Sequence, residues 1–292
     1  MDTALTNGVF SKNNTVAPKS DRVLPLFSLK GKTAIVSGAG AGIGLAIAHA
    51  YAEAGADVAI WYNSNKSAID RAATIEKTYG VKCRAYQVDV TDEAAVRQAV
   101  NDNVKEFNGR LDIFVANSGI PWTQGAATDG EVSHYRKVVT TDLDSVFYCG
   151  RAVAEIWRRQ AREGTDLNGK KLGNYTLGSF IATASMSAHV VNVPQLQSAY
   201  NAAKAGVMHL TKCLAVEWVQ FARANTVSPG YINTEITDFA PQEMKDMWRS
   251  RIPMGREGET NELKGAFLYF ASDASSYTTG SDLLVDGGYC LP

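Results

Sequence analysis

Thr33-Ala-Ile-Val-Ser-Gly-Ala-Gly-Ala-Gly-Ile-Gly44 decides the fold of this chain. Thr33 to Ser37 is a short apolar run, the pattern of a buried strand. Glycines follow, and Ile43 to Ala54 reads as an alanine-rich helix closed by Gly55. A glycine-rich turn between strand and helix lets the backbone bend tightly and approach a pyrophosphate, which then rests on the helix N-terminus. Gly38, Gly42, Ile43 and Gly44 are therefore candidate dinucleotide-binding residues. Their spacing, Gly38-x-x-x-Gly42-x-Gly44, differs from G-x-G-x-x-G. No Gly-Lys-Ser/Thr closes the turn, which excludes a P-loop.

Outward from this turn the chain alternates strand and helix. Apolar runs at Asp57 to Tyr62, Cys83 to Val88, Leu111 to Ala116, Ser179 to Thr183, Ala224 to Val227 and Ser281 to Val285 give six more expected strands. Helical patterns lie between them, including a long one from Val132 that breaks near Thr141 and Asp142. Such alternation implies an α/β fold, a single doubly wound, parallel seven-stranded Rossmann domain with helices on both faces. Ligands then bind at the carboxyl ends of the strands. Residues 1–26 read as a flexible tail, and 27–292 as the catalytic domain. Within it, 231–258 is a candidate substrate loop whose amphipathic piece, Gln242 to Trp248, is either a lid or a packed surface helix. A polar insertion from Glu163 to Gly178 precedes the fifth strand.

The 292 residues are 45% hydrophobic and 20% charged, as in a globular protein, with a formal net charge of −1. That balance offers no electrostatic footprint for nucleic acid or an anionic membrane. No apolar run approaches the ~20 residues of a membrane span. The four cysteines are scattered, with no C-x-x-C pair. They read as reduced thiols of a cytoplasmic protein, with Cys149 and Cys213 as packing residues in helices. His49, His134 and His209 show no metal-ligand spacing, so no metal is expected.

Two further stretches carry chemistry. Ser198-Ala-Tyr200-Asn-Ala-Ala-Lys204 puts a phenol and an ammonium one helical turn apart on one face. The ammonium stabilises phenolate and is expected to lower the Tyr200 pKa, making it a proton donor near neutral pH. At the tip of the second strand, where a carboxylate would hold the ribose hydroxyls of NAD, the chain reads Trp61-Tyr62-Asn63-Ser64-Asn65-Lys66. Asn63 and Ser64 offer donors to a 2′-phosphate, which favours NADPH/NADP, although no arginine clamps the site. Lys66 either adds charge there or is a solvated lysine at a helix start, the latter preferred.

Taken in order, the Gly38 to Gly44 turn, Asp89-Val90, Ala116-Asn117-Ser118-Gly119, Tyr200-x-x-x-Lys204 and Pro229-Gly230 with Thr234 resemble the classical short-chain dehydrogenases/reductases. The resemblance runs from about Phe27 to the C-terminus. More narrowly, Asp57 to Ser64, Pro194-Gln-Leu-Gln197, Ser228 to Ile232 and Tyr277 to Gly280 resemble fungal NADPH-dependent ketose and carbonyl reductases, including sorbose reductases and mannitol 2-dehydrogenases. The resemblance implies that Asp89 and Val90 contact the adenine, and that Asn117 and Gly119 border the cofactor. Lys204 would bind the nicotinamide ribose. Pro229, Gly230, Ile232 and Thr234 would hold the carboxamide end.

It also implies hydride transfer to a carbonyl of a ketone or sugar, with Tyr200 protonating the alkoxide and a serine binding the oxygen. In the family that serine commonly stands thirteen residues before the tyrosine, which gives Ser187, whereas the end of the fifth strand gives Ser185; Ser185 is preferred, with Ser187 on the substrate side. Asp142 stands where the wider family usually has asparagine; it reads as a structural or relay residue that raises the Lys204 pKa. His189, Trp122, Tyr231 and Phe239 are candidates to line the substrate mouth. The family implies a homotetramer or homodimer. The expected activity is reduction of a ketose or other ketone. Polyol oxidation and a non-catalytic dinucleotide-binding regulator are the alternatives, the latter disfavoured by intact Ser185, Tyr200 and Lys204.

Overall fold

The computed structural model describes residues 5–6, 9–11, 13–235 and 240–291. Seven parallel strands form one sheet in the order β7-β6-β5-β4-β1-β2-β3. They are β1 (Thr33–Val36), β2 (Asp57–Tyr62), β3 (Cys83–Gln87), β4 (Ile113–Ala116), β5 (Gly178–Thr183), β6 (Ala222–Pro229) and β7 (Asp282–Val285). Chain order reverses direction between β1 and β4. The crevice at that switch point is where an open parallel sheet takes its ligand.

Helices cover both faces: α1 (Gly42–Glu53), α2 (Ala68–Tyr79), α3 (Glu93–Glu106), α4 (Val132–Val139), α5 (Ser145–Glu163), α6 (Ser198–Glu217), α7 (Gln242–Arg251) and α8 (Thr260–Ala271). Alternate strand residues feed two cores. Ile35, Ala59, Phe114 and Phe180 pack with α3, α5 and α6. Ala34, Val58, Ile113 and Ile181 pack with α1, α2 and α8. Burial on both faces is why the strands read as unbroken apolar runs.

The seven expected strands are present, with ends shifted by a residue or two, which is ordinary fraying. Helix α8 was not anticipated from the sequence. Its signals are a reciprocal capping box between Glu259 and Glu262, and Leu263, Phe267, Phe270 and Ala271 on one buried face. The break near Thr141 and Asp142 is one turn of π-helix, Thr140–Asp144, between α4 and α5. Cys149 is buried as expected, but Cys213 is exposed on α6 and is not a packing residue. The expected tail lies partly outside the described residues; Val23–Leu26 forms a helical turn that buries no side chain. Among the described residues, no helix is long and apolar enough to cross a membrane.

The glycine turn depends on close backbone approach. Gly38 and Gly42 have φ of 62° and 52°, the left-handed region. A Cβ on Gly44 would stand 2.5 Å from the Gly38 carbonyl oxygen and 2.6 Å from Asn117 Nδ2. Gly44→Ala is expected to cost about 1–3 kcal/mol through overpacking. Urea unfolding checks this, and an unmoved midpoint would contradict it.

Candidate active site

A cleft of about 390 Å³ opens at the carboxyl ends of β1, β4, β5 and β6. Much of its wall comes from the segments at and after the strand ends. The turn after β1 supplies Gly38, Gly42, Ile43 and Gly44. Asn117 and Gly119 follow β4, Ser185 follows β5, and Pro229, Gly230, Ile232 and Thr234 end β6 and continue from it. Tyr200 and Lys204, from α6, line the same cleft. Asn63, Ser64, Asp89 and Val90 sit at the tips of β2 and β3, outside its lining.

Asn117 ties three strands together. Its Nδ2 donates to the carbonyls of Ser37 and Gly38 at 3.2 and 3.3 Å, and its Oδ1 accepts from Thr183 Oγ1 at 3.0 Å. The Ser37 hydroxyl accepts the Asn117 amide at 2.9 Å. Gly230 donates its amide to Val285 at 2.9 Å, and a Cβ there would meet Asp286 Cα at 2.6 Å. The walls are therefore fixed by the side chains of Asn117, Ser37 and Thr183 and by a close approach at Gly230 that leaves no room for a Cβ.

Lys204 is almost completely enclosed. Its Nζ donates to the Thr183 carbonyl at 3.0 Å and lies 3.4 Å from Asp142 Oδ2. Burial alone would pull the ammonium pKa down, yet Asp142 and Tyr200 together carry it above the ordinary lysine value. The expectation that Asp142 raises it is met. Tyr200 differs from its expectation. Burial pushes the phenol up and Asp142 adds to this; Lys204 and a hydrogen bond with Ser185 pull it down, and the net direction is upward. The phenol is thus held protonated, as a proton donor must be.

Ser185 is extended, with φ of −168°, at the start of a short 3-10 turn. Its hydroxyl stands near enough to Tyr200 to draw the phenol pKa down, and it accepts the Ser187 amide at 3.1 Å. Ser187 instead accepts from Gln197 Nε2 at 3.0 Å, and Gln197 also donates to Asn192 Oδ1 at 2.8 Å. Asn192 in turn donates to the Tyr231 hydroxyl at 3.3 Å. These residues, with Gln195, form a polar wall across from the glycine turn. Tyr231 stacks on Trp248 of α7 at 4.1 Å between ring centroids. Trp248 is fully buried, so α7 is anchored by that stack as a packed helix roofing the cleft.

Several expectations are corrected. His189 does not face the cleft, because its Nε2 pairs with Asp282 Oδ2 at 2.9 Å. Trp122 is buried beside Tyr200, donating to the Gly125 carbonyl at 2.8 Å, and supports the tyrosine rather than lining the mouth. Phe239 lies outside the described residues. An arginine does reach the glycine turn. Arg71 of α2 donates to the Gly40 carbonyl, which also accepts from Asn65 Nδ2 at 3.3 Å. The Arg71 guanidinium stands 3.7 Å from Glu235. Arg71 is eight residues beyond Asn63 in sequence. Only the docking of α2 against the turn brings it there. Lys66 is exposed, as a solvated lysine should be.

The left-handed Gly38 and Gly42, the contact at Gly44 that leaves no room for a side chain, and the continuous cleft to Tyr200 fit an extended dinucleotide. The arrangement can cradle a diphosphate at one end and donate a proton at the other. The sequence profile that describes enoyl-(acyl carrier protein) reductases matches residues 38–290. An L-xylulose reductase of Hypocrea jecorina is 62% identical, covering 99% of this chain and 100% of that protein. A probable NADP-dependent mannitol dehydrogenase of Yarrowia lipolytica is 51% identical, covering 95% of each. Among solved structures, an NADPH-dependent 3-quinuclidinone reductase from Rhodotorula rubra superposes with a TM-score of 0.86. It is 42% identical, covering 95% of this chain and 98% of that one.

The buried Lys204–Asp142 pair carries a stability prediction. Lys204→Met leaves a buried carboxylate without its cation and is expected to cost about 3 kcal/mol at pH 7. Adding Asp142→Leu is expected to restore most of it. Chemical denaturation of both variants checks this, and equal stability of Lys204→Met and the native protein would contradict it.

Proposed function

This chain belongs to the classical short-chain dehydrogenases/reductases, and from that premise we propose that it transfers a hydride from NADPH to the carbonyl of a ketose, giving a polyol, reversibly. The observation that carries the reading is that Ser185, Tyr200 and Lys204 share one cleft with the glycine turn. The relatives' names point the same way: a reductase of xylulose, a mannitol dehydrogenase that uses NADP, and an NADPH-dependent ketone reductase.

The residues divide the work. Gly38, Gly42, Ile43 and Gly44 hold the diphosphate. Asp89 and Val90 contact the adenine, and Asn117 and Gly119 border the cofactor. Pro229, Gly230, Ile232 and Thr234 hold the carboxamide end. Lys204 binds the nicotinamide ribose. Asn63 and Ser64 donate to the 2′-phosphate, and Arg71 adds a cation from α2. Bound NADPH supplies the hydride that reduces the carbonyl carbon.

As charge develops on the carbonyl oxygen, Ser185 hydrogen-bonds it and Tyr200 gives up its proton to it. In the reverse direction the Tyr200 phenolate takes the proton of the alcohol. The amides of Asn192, Gln195 and Gln197 give the substrate side donors and acceptors suited to a polyol chain. That favours a ketose over a simple aryl ketone.

Residues 27–292 act as one catalytic domain, with 231–258 over the substrate. We place it in the cytoplasm, a setting suited to its four free thiols. It assembles as a homodimer or homotetramer through α4, α5 and α6, where Tyr135, Phe147 and Val216 stand exposed.

NADPH consumption over a panel of L-xylulose, L-sorbose, D-fructose and an aryl ketone tests the reading; no oxidation with any ketose would refute it. Tyr200→Phe is expected to lower kcat about 10²–10⁴-fold, the usual worth of a positioned proton donor, with NADPH binding retained. Arg71→Ala is expected to raise KM for NADPH about tenfold, the worth of a charge-assisted contact, and to leave KM for NADH unchanged. Equal effects on both cofactors would remove Arg71 from the 2′-phosphate site.

A further inference from the structure

Asp142 performs none of the steps above, yet it is the most enclosed charge in the cleft. Its side chain has no exposed surface. The π-turn adds a residue to the helical path and directs this carboxylate inward. Oδ1 accepts the Ile120 amide at 2.8 Å. Oδ2 lies 3.4 Å from Lys204 Nζ, an ion-pair distance, and among the described residues no donor completes a hydrogen bond to it. It is also packed in place, because a Cβ on Gly119 would come within 2.8 Å of it.

The charges that face Tyr200 are few. From α6 comes Lys204, whose Nζ is 5.4 Å from the phenol ring centroid. From the π-turn comes Asp142. The loop after β5 presents the neutral Ser185 hydroxyl. The segment after β4 presents Gly119 and Ile120, neither of them ionisable. From α4, His134 is turned to Trp122, with ring centroids 5.1 Å apart. Among the described residues, the electrostatics at the phenol therefore reduce to one buried cation and one buried anion. Lys204 alone would draw the proton off Tyr200; a carboxylate beside it cancels that pull.

We propose that Asp142 is a positioning residue that cancels the Lys204 charge and so keeps the Tyr200 proton in place to higher pH. The assignment rests on the reading of Tyr200 as the proton donor of a ketone reductase. Asp142 leaves the equilibrium of the reaction untouched. What it sets is the pH range in which each direction runs: reduction persists to higher pH, and oxidation requires higher pH to begin. The directions already described agree, since Asp142 and burial raise Tyr200 while Lys204 lowers it. Removing the Asp142 charge must then move the phenol titration downward.

Asp142→Asn keeps the shape and the acceptor for Ile120 and removes the charge. Asp142→Glu restores charge, and Asp142→Ser provides a second neutral side chain should the asparagine variant fail to fold. Near-ultraviolet tyrosinate absorbance is titrated without substrate, with each variant also made in a Tyr200→Phe background as the blank. The neutral variants are expected to titrate about one pH unit lower than the native protein, and Asp142→Glu to recover part of the shift. In steady-state kinetics, the falling limb of ketose reduction and the rising limb of polyol oxidation both move to lower pH by that amount. An unmoved or raised midpoint in folded neutral variants overturns the proposal. A native protein that consumes no NADPH with any ketose refutes the functional reading instead, while the titration still decides the role of Asp142.

Discussion

A buried ammonium organises the site. Lys204 donates to the carbonyl at the end of β5 and pairs with a carboxylate on the π-turn, so one side chain ties a strand end, a helix and a helix irregularity together. A charge this enclosed is costly unless paired and hydrogen-bonded. That constraint explains the elements around it. The π-turn brings Asp142 in, Gly119 leaves room for it, and the Ile120 amide holds it. Tyr200, one turn earlier on α6, inherits the resulting environment: apolar enough to keep its proton, and near enough to a cation to release it.

The rest of the cleft follows from the parallel sheet. Each strand delivers one functional segment at its carboxyl end: the glycine turn after β1, Asn117 after β4, Ser185 after β5 and Pro229-Gly230 at the end of β6. Hydrogen bonds from Asn117 to the first turn and from Thr183 to Asn117 lock these ends in register. Function is thus placed by backbone positions that tertiary packing cannot easily move. The substrate side is built differently, from a loop of amides and from the Tyr231–Trp248 stack that anchors α7.

Local pattern made much of this legible. Strands buried on both faces announce themselves as apolar runs, and the glycine spacing and Tyr200–Lys204 separation are short-range signals. What escaped was long-range or compensated. Arg71 reaches the glycine turn only through the docking of α2, so its place beside Gly40 has no sequence spacing to betray it. The direction of the Tyr200 shift is a balance of burial against Lys204, and burial is a property of the whole fold. His189 sits close in sequence to the serine loop, but Asp282 on the edge strand turns it away. Helix α8 is the exception; its capping box and apolar spacing were readable and were missed.

Direct transfer of hydride to a ketose carbonyl, completed by a proton from Tyr200, would leave an isotopic mark on the product. Reduction of L-xylulose with NADPH deuterated at the transferring nicotinamide position, followed by mass spectrometry of the polyol, reads that mark. One deuterium per polyol is expected from the native protein, and at least about 10²-fold less labelled polyol from Tyr200→Phe over the same time. An unlabelled polyol, or as much labelled polyol from Tyr200→Phe as from the native protein, would overturn the mechanism.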